Sequence, residues 1–169
     1  MQLCNPKECS AWLADNSIRE RPYELALLAE TAYVQFAIYE PRRRGTEVLE
    51  LLNKAIGLSS QSLLQLVDWS PHFEQTDAAL LSLSTAFSES HMYGSGILFD
   101  PSEQDAVLSA ASSVIDKLMS AYLYVPESAT CFLWEGDMVD FWSPHIDTAR
   151  ELLSLLGVAN MQVTSKAHT

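Results

Sequence analysis

The chain has 169 residues, of which 48% are hydrophobic and 19% are charged. A chain of this length and apolar content can bury roughly two-thirds of its unfolded surface, which excludes an intrinsically disordered protein. Its 22 acidic residues outnumber its 10 basic ones and give a formal net charge of -12. That charge argues against direct binding to nucleic acid and against binding to an anionic membrane.

The negative charge is concentrated in the later part of the chain. Residues 1–60 carry eight acidic and seven basic side chains, whereas residues 61–169 carry fourteen acidic and three basic ones. Long-range attraction favours partners of opposite charge. Any charged partner of the 61–169 region is therefore expected to be basic.

The cysteines and the first residues bear on localisation. Cys4, Cys9 and Cys131 are an odd number of thiols whose spacing does not match a zinc site, so we expect them to be reduced. The N-terminal residues lack the apolar core of a signal peptide, and no apolar run reaches the roughly 20 residues of a membrane helix. These features predict a cytoplasmic protein.

Helical periodicity dominates the first half. The pattern predicts a short helix over residues 8–15 and a longer one that begins at a Ser17–Glu20 capping box and ends before Pro41. A further helix is predicted from Thr46 to Gly57. Apolar residues from about Ser59 to Trp69 predict another short helical segment.

In the second half, three Ser-Pro or Asp-Pro pairs mark predicted helix starts, because a capping residue is followed by a proline suited to the first turn. These pairs are Ser70-Pro71, Asp100-Pro101 and Ser143-Pro144. The helix predicted for residues 101–124 is apolar around much of its circumference, which is typical of a central helix. Residues 130–142 are ambiguous, since they match either a short β-hairpin turning at Gly136-Asp137 or a bent helix.

These elements predict an all-α fold. The expected architecture is a single-domain bundle of six or seven helices over residues 1–161, with one short β-hairpin near residues 130–142 as an alternative for that segment. Residues 162–169 are expected to form a polar, frayed tail.

Aromatic and acidic residues are densest between Thr130 and Asp147. Carboxylates steer encounter with a basic surface, and aromatic rings supply anchors at an interface. The leading hypothesis is therefore a non-catalytic protein-binding module of the inhibitor, immunity or adaptor type, which needs no cofactor and binds a basic protein surface. The predicted partner-binding residues are Trp134, Glu135, Asp137, Asp140, Trp142 and Asp147.

Two other functions fit parts of the sequence. Glu47 and Glu50, like Asp137 and Asp140, are carboxylates three residues apart, and such pairs could hold Mg²⁺ against substrate phosphates. The alternative hypothesis is therefore an all-α hydrolase that uses Mg²⁺ to act on a phosphorylated small molecule or nucleotide. A third is an apolar groove for a small hydrophobic ligand. The leucine-rich composition is also compatible with a homodimer.

Overall fold

A computed structural model describes residues 1–18, 20, 31–39, 41–57, 61–69, 77–87 and 92–169, with residues 41–43 described by their backbone only. Most of the helix predicted between Glu20 and Pro41, and the predicted start at Ser70-Pro71, lie outside the described residues. The other predicted elements can be compared with the structure directly.

Within the described residues, eight strands form one antiparallel sheet. They are β1 (Gln2–Cys4), β2 (Ala32–Ala37), β3 (Ser62–Leu66), β4 (Gly96–Phe99), β5 (Ala121–Val125), β6 (Thr130–Glu135), β7 (Met138–Ser143) and β8 (Gln162–Ala167). Their order across the sheet is β1-β4-β3-β5-β6-β7-β2-β8. The edges of the sheet are therefore β1, with three residues, and β8, with six.

Five α-helices lie within the described residues. They are α1 (Pro6–Asp15), α2 (Pro41–Ile56), α3 (Ala78–Ala86), α4 (Gln104–Asp116) and α5 (Ile146–Val158). Among the described residues, none of the helices is long and apolar enough to span a membrane.

Local sequence explains several helix ends. Asn5 accepts hydrogen bonds from the backbone N–H groups of Lys7 and Glu8, and Glu8 accepts one in return from Asn5, which satisfies free amides in the first turn of α1. Gly57 follows α2 with a φ of 62°, a conformation that glycine adopts without a Cβ penalty. The predicted stop at Gly57 therefore has the backbone conformation expected of it.

The sheet has two different faces, because successive side chains of a strand point to opposite sides. On the helical face, apolar strand residues pack against α2, α3, α4 and α5 in one large core, which includes Val34, Leu123, Phe132 and Phe141. On the opposite side, called the α1 face, Cys9 and Leu13 of α1 pack in a smaller cluster with Tyr124, Cys131, Leu133 and Trp142. The main core therefore lies between the sheet and the four helices.

The all-α prediction is wrong, because three segments assigned to helices are strands. These segments are Ala32–Ala37, Ser62–Leu66 and Ala121–Val125, and each pairs with a strand on both of its sides. All five residues of β3 and all five of β5 are buried, so neither shows the alternation of a half-exposed strand. A short run in which every residue is buried, such as Ala121–Val125, cannot be separated from a buried helix by periodicity alone.

Three other predicted elements also differ from the structure in their position or type. The hairpin considered for residues 130–142 is present as β6 and β7, where Glu135 pairs with Met138 around Gly136, but these strands are central to the sheet. Pro41 begins α2 instead of ending an earlier helix, as it fits a first turn. Residues Gln162–Ala167 form the edge strand β8, which pairs with β2, where a frayed tail was expected.

Candidate functional site

Within the described part of the chain, a cleft lies between α2 and α4 on the outer side of the helical layer. Thr46 Oγ1 lies 3.3 Å from Ser112 Oγ, and Gln104 Nε2 donates to Asn53 Oδ1 at 3.0 Å. These two contacts connect the helices in opposite sequence order, so α2 and α4 run antiparallel. The cleft beside them has a volume of ≈ 710 Å³.

The lining of this α2–α4 cleft is acidic and rich in hydroxyl groups. Its residues are Thr46, Leu49, Glu50, Asp77, Leu108, Ser109, Ser112, Ser113, Asp116 and Lys117. Three carboxylates and four hydroxyls therefore face one ammonium group, while two leucines supply apolar surface. An excess of carboxylates in a concave site focuses a negative potential there.

Asp77 is held in place by three hydrogen bonds. Its Oδ1 accepts from the backbone N–H groups of Ala79 at 2.9 Å and Leu80 at 3.1 Å, which caps α3. Its Oδ2 accepts from Ser109 Oγ of α4 at 2.6 Å. Asp77 thus ties α3 to α4 and fixes one wall of the cleft.

Asp116 is a half-buried carboxylate at the end of α4. Burial raises its pKa, and the neighbouring Lys117 only partly opposes this effect. A Cβ at Gly45 of α2 would lie 2.7 Å from Asp116 Oδ1, so the missing side chain of Gly45 leaves room for the carboxylate. The Asp116 carboxylate therefore lies against the backbone of α2 at Gly45.

Glu50 and Glu47 lie on the same helix but differ in availability. Glu47 receives two hydrogen bonds from the Arg44 guanidinium, at 2.7 and 2.9 Å, and these lower the pKa of Glu47. Glu50 is exposed and lines the cleft. It forms no ion pair among the described residues, so its charge is available to a ligand.

The six predicted partner-binding residues do not form one surface. Trp134 is 1% exposed in the core of the helical face, where its ring stacks on Phe132. Glu135 and Asp137 are exposed at the β6–β7 turn, and Asp147 is exposed in the first turn of α5. Asp140 and Trp142 are buried side by side on the α1 face, since both belong to β7 at an interval of two residues.

The four carboxylates of the alternative Mg²⁺ hypothesis are also separated. Glu47 and Glu50 belong to α2, which packs on the helical face, whereas Asp140 lies on the α1 face. Asp137 is in the turn between β6 and β7. Among the described residues, no three histidine, cysteine or acidic side chains are grouped closely enough to hold a metal ion.

Two acids of the cleft, Asp77 and Asp116, were not singled out from the sequence, although Glu50 was. A signal was available in α4, because Ser109, Ser112, Ser113 and Asp116 recur at steps of one to four residues. They lie opposite the buried positions Val107, Ala110, Ala111 and Val114. A polar stripe of small hydroxyls beside a central apolar helix therefore marks this wall of the cleft.

Comparisons with protein-family models, curated proteins and solved structures find no match to this chain. The function proposed below therefore rests on the chemistry of the cleft.

Proposed function

We propose that this protein is a cytoplasmic binding protein whose α2–α4 cleft receives basic side chains of a partner protein. The observation that carries the proposal is the cleft itself, a space of ≈ 710 Å³ whose described lining holds the three acids Glu50, Asp77 and Asp116 and one basic residue, Lys117. Ligand sites commonly have volumes of roughly 300–1,000 Å³. The excess of carboxylates favours a cation as the ligand.

The remaining groups of the cleft suit an arginine or lysine side chain. The aliphatic stem of such a residue can cover apolar surface while its charged end bonds to carboxylates. Half-buried Leu108 supplies most of that surface, because Leu49 is only 2% exposed. The hydroxyls of Ser112 and Ser113 can accept N–H groups that the carboxylates do not reach. Apolar stem contacts and polar head contacts are therefore available together.

Asp116 adds a reason for affinity. Burial disfavours its ionised form, which is why its pKa is raised. A guanidinium or ammonium group placed next to the carboxylate favours the ionised form instead. Binding of a basic side chain would thus offset an electrostatic penalty that the folded protein carries at neutral pH.

The thiols support the proposed compartment. Cys4, Cys9 and Cys131 are free and buried, and burial raises the pKa of Cys9 to about 12. Buried free thiols without a disulfide framework are typical of proteins in a reducing cytosol.

The proposal can be tested with a fluorescent oligoarginine peptide and the variant Glu50→Gln. The matched control is Glu151→Gln, which removes the same charge from an exposed position on α5, outside the cleft. We expect Glu50→Gln to weaken binding about 5–10-fold at low salt, because a close charge pair is lost. The control should stay within about twofold, because distant exposed charges are screened.

Equal losses in the two variants would contradict the proposal, since they would show attraction to overall negative charge and not to the cleft. Raising the salt to about 0.5 M should weaken binding to the wild type most strongly, because its larger number of charge pairs is screened.

A further inference from the structure

A second unusual acid lies on the other side of the sheet. Asp140 of β7 is only 7% exposed, yet it forms no ion pair among the described residues. Its Oδ1 accepts hydrogen bonds from Tyr33 Oη at 2.5 Å and from Gln35 Nε2 at 3.0 Å. Both bonds fall on the same oxygen, so Oδ2 keeps its capacity to accept from a ligand.

A buried carboxylate without a cation is uncommon. Desolvation of a charge costs far more than two neutral hydrogen bonds return, so buried acids are normally paired with a base. Asp140 has Tyr33 and Gln35 as neighbours, and Gln35 is held in turn by Thr164 Oγ1, which donates to its Oε1 at 2.9 Å. The strands β7, β2 and β8 thus orient the acid without neutralising it.

Trp142 lies two residues from Asp140 along β7, on the same face of the sheet, and is 3% exposed. The ring of Trp142 lies 5.6 Å from the ring of Tyr33, the same residue that donates to Asp140. An uncompensated carboxylate therefore adjoins two aromatic rings on one face of the sheet.

We infer that Asp140, Tyr33, Gln35 and Trp142 form a binding site for an alkylguanidinium or alkylammonium cation. The cation pairs with Asp140 Oδ2, and the half-buried ring of Tyr33 adds cation–π attraction. Half-buried Tyr33 and Gln35, with exposed Thr164 and Glu135 at the margin, open the site toward the surface of the sheet. Glu135 adds negative potential on the same face.

This site is independent of the α2–α4 cleft, because the sheet separates the two.

Butylguanidinium is a suitable probe, and butylurea is its uncharged counterpart of nearly equal shape. Binding can be followed by NMR through the indole N–H signal of Trp142, which is assigned by its disappearance in Trp142→Phe. The protein has four tryptophans, so Trp134 of the opposite core serves as an internal reference.

We expect butylguanidinium to shift the Trp142 indole signal to saturation while the Trp134 signal stays in place. Butylurea should bind at least about tenfold more weakly, which corresponds to about 1.4 kcal/mol. Asp140→Asn should give a similar loss, since the asparagine Oδ1 can still accept from Tyr33 and Gln35. Glu151→Gln, at an exposed position of α5 outside both sites, should leave the titration of the Trp142 signal unchanged.

Superimposable titrations with butylguanidinium and butylurea would overturn the inference, as would an unchanged affinity in Asp140→Asn. The probe comparison needs only the wild type, so it decides the matter even if Asp140→Asn fails to fold. A parallel titration with Nα-acetyl-argininamide separates the sources of the cation. If Nα-acetyl-argininamide binds more strongly than butylguanidinium, the natural ligand is an arginine side chain in a peptide. If it binds more weakly, the natural ligand is a free small molecule.

Discussion

The two faces of the sheet are built from the same strands but differ in chemistry. The central row of the helical face runs through apolar residues of five strands, namely Val34, Phe141, Phe132, Leu123 and Leu64. The neighbouring row on the α1 face contains Gln35, Asp140, Leu133, Tyr122 and Gln65. Three of these five residues have amide or carboxylate side chains, whereas all five residues of the row on the helical face are apolar.

This difference assigns separate roles to the faces. The helical face holds the fold together, because apolar area removed from water is the main stabilising contribution. The α1 face includes buried polar groups that lower stability unless they are satisfied. Polar residues retained in such positions are candidates for binding, whereas the apolar row is a candidate for packing only.

The largest effect should come from Trp134 of the helical face. We expect Trp134→Ala to lower the free energy of unfolding by about 3–5 kcal/mol, because a fully buried ring is replaced by a cavity. Urea denaturation measures this loss. A decrease of less than about 1 kcal/mol would show that the helical face is not the stabilising core.

Trp142 on the α1 face sharpens the comparison, since it is about as buried as Trp134. We expect Trp142→Phe to change the free energy of unfolding by less than about 1.5 kcal/mol, because the smaller ring keeps most of the packing. The indole N–H groups of Trp142 and Trp134 both lack a partner, so their removal affects the two Phe variants alike. The same denaturation experiment applies, with Trp134→Phe as the matched control. A loss above about 3 kcal/mol would mean that the α1 face is as tightly packed as the helical face.

Local signals in the sequence located several elements but not the fold class. Gly57 and the Asp100–Glu103 capping box mark real boundaries, and Gly136 lies at the turn of a real hairpin. The helix predicted for residues 101–124 was too long because its end carries no glycine. Leu118 adopts a φ of 56° there, and β5 follows three residues later with the same apolar composition.

The candidate site was even less accessible to prediction. Glu50 was singled out only as a member of a carboxylate pair, and its structural neighbours Asp77 and Asp116 are distant in sequence. Their convergence depends on how α2 packs beside α4, which is decided by tertiary contacts such as the close approach at Gly45. The acidic excess of residues 61–169 pointed to a basic partner without locating the cleft.

Asp116→Asn should change the free energy of unfolding least. It is also the most informative variant, because its effects on stability and on peptide affinity are expected to differ in sign. Because burial raises its pKa in the folded protein, Asp116 binds a proton more readily there than in the unfolded chain. Its contribution to stability therefore falls as the pH rises through the unfolded pKa toward the folded pKa. At neutral pH the variant should be slightly more stable than the wild type, by less than about 1 kcal/mol, and this gain should vanish below the ordinary aspartate pKa.

The most direct test of the cleft as a binding site is therefore the affinity of Asp116→Asn for the oligoarginine peptide, measured together with its melting temperature at pH 7. The proposed function predicts opposite signs, with a slightly higher melting temperature and binding weakened by about 5–10-fold. Unchanged affinity in a variant of equal or higher stability would contradict it, because Asp116 would then be a half-buried acid with no part in binding.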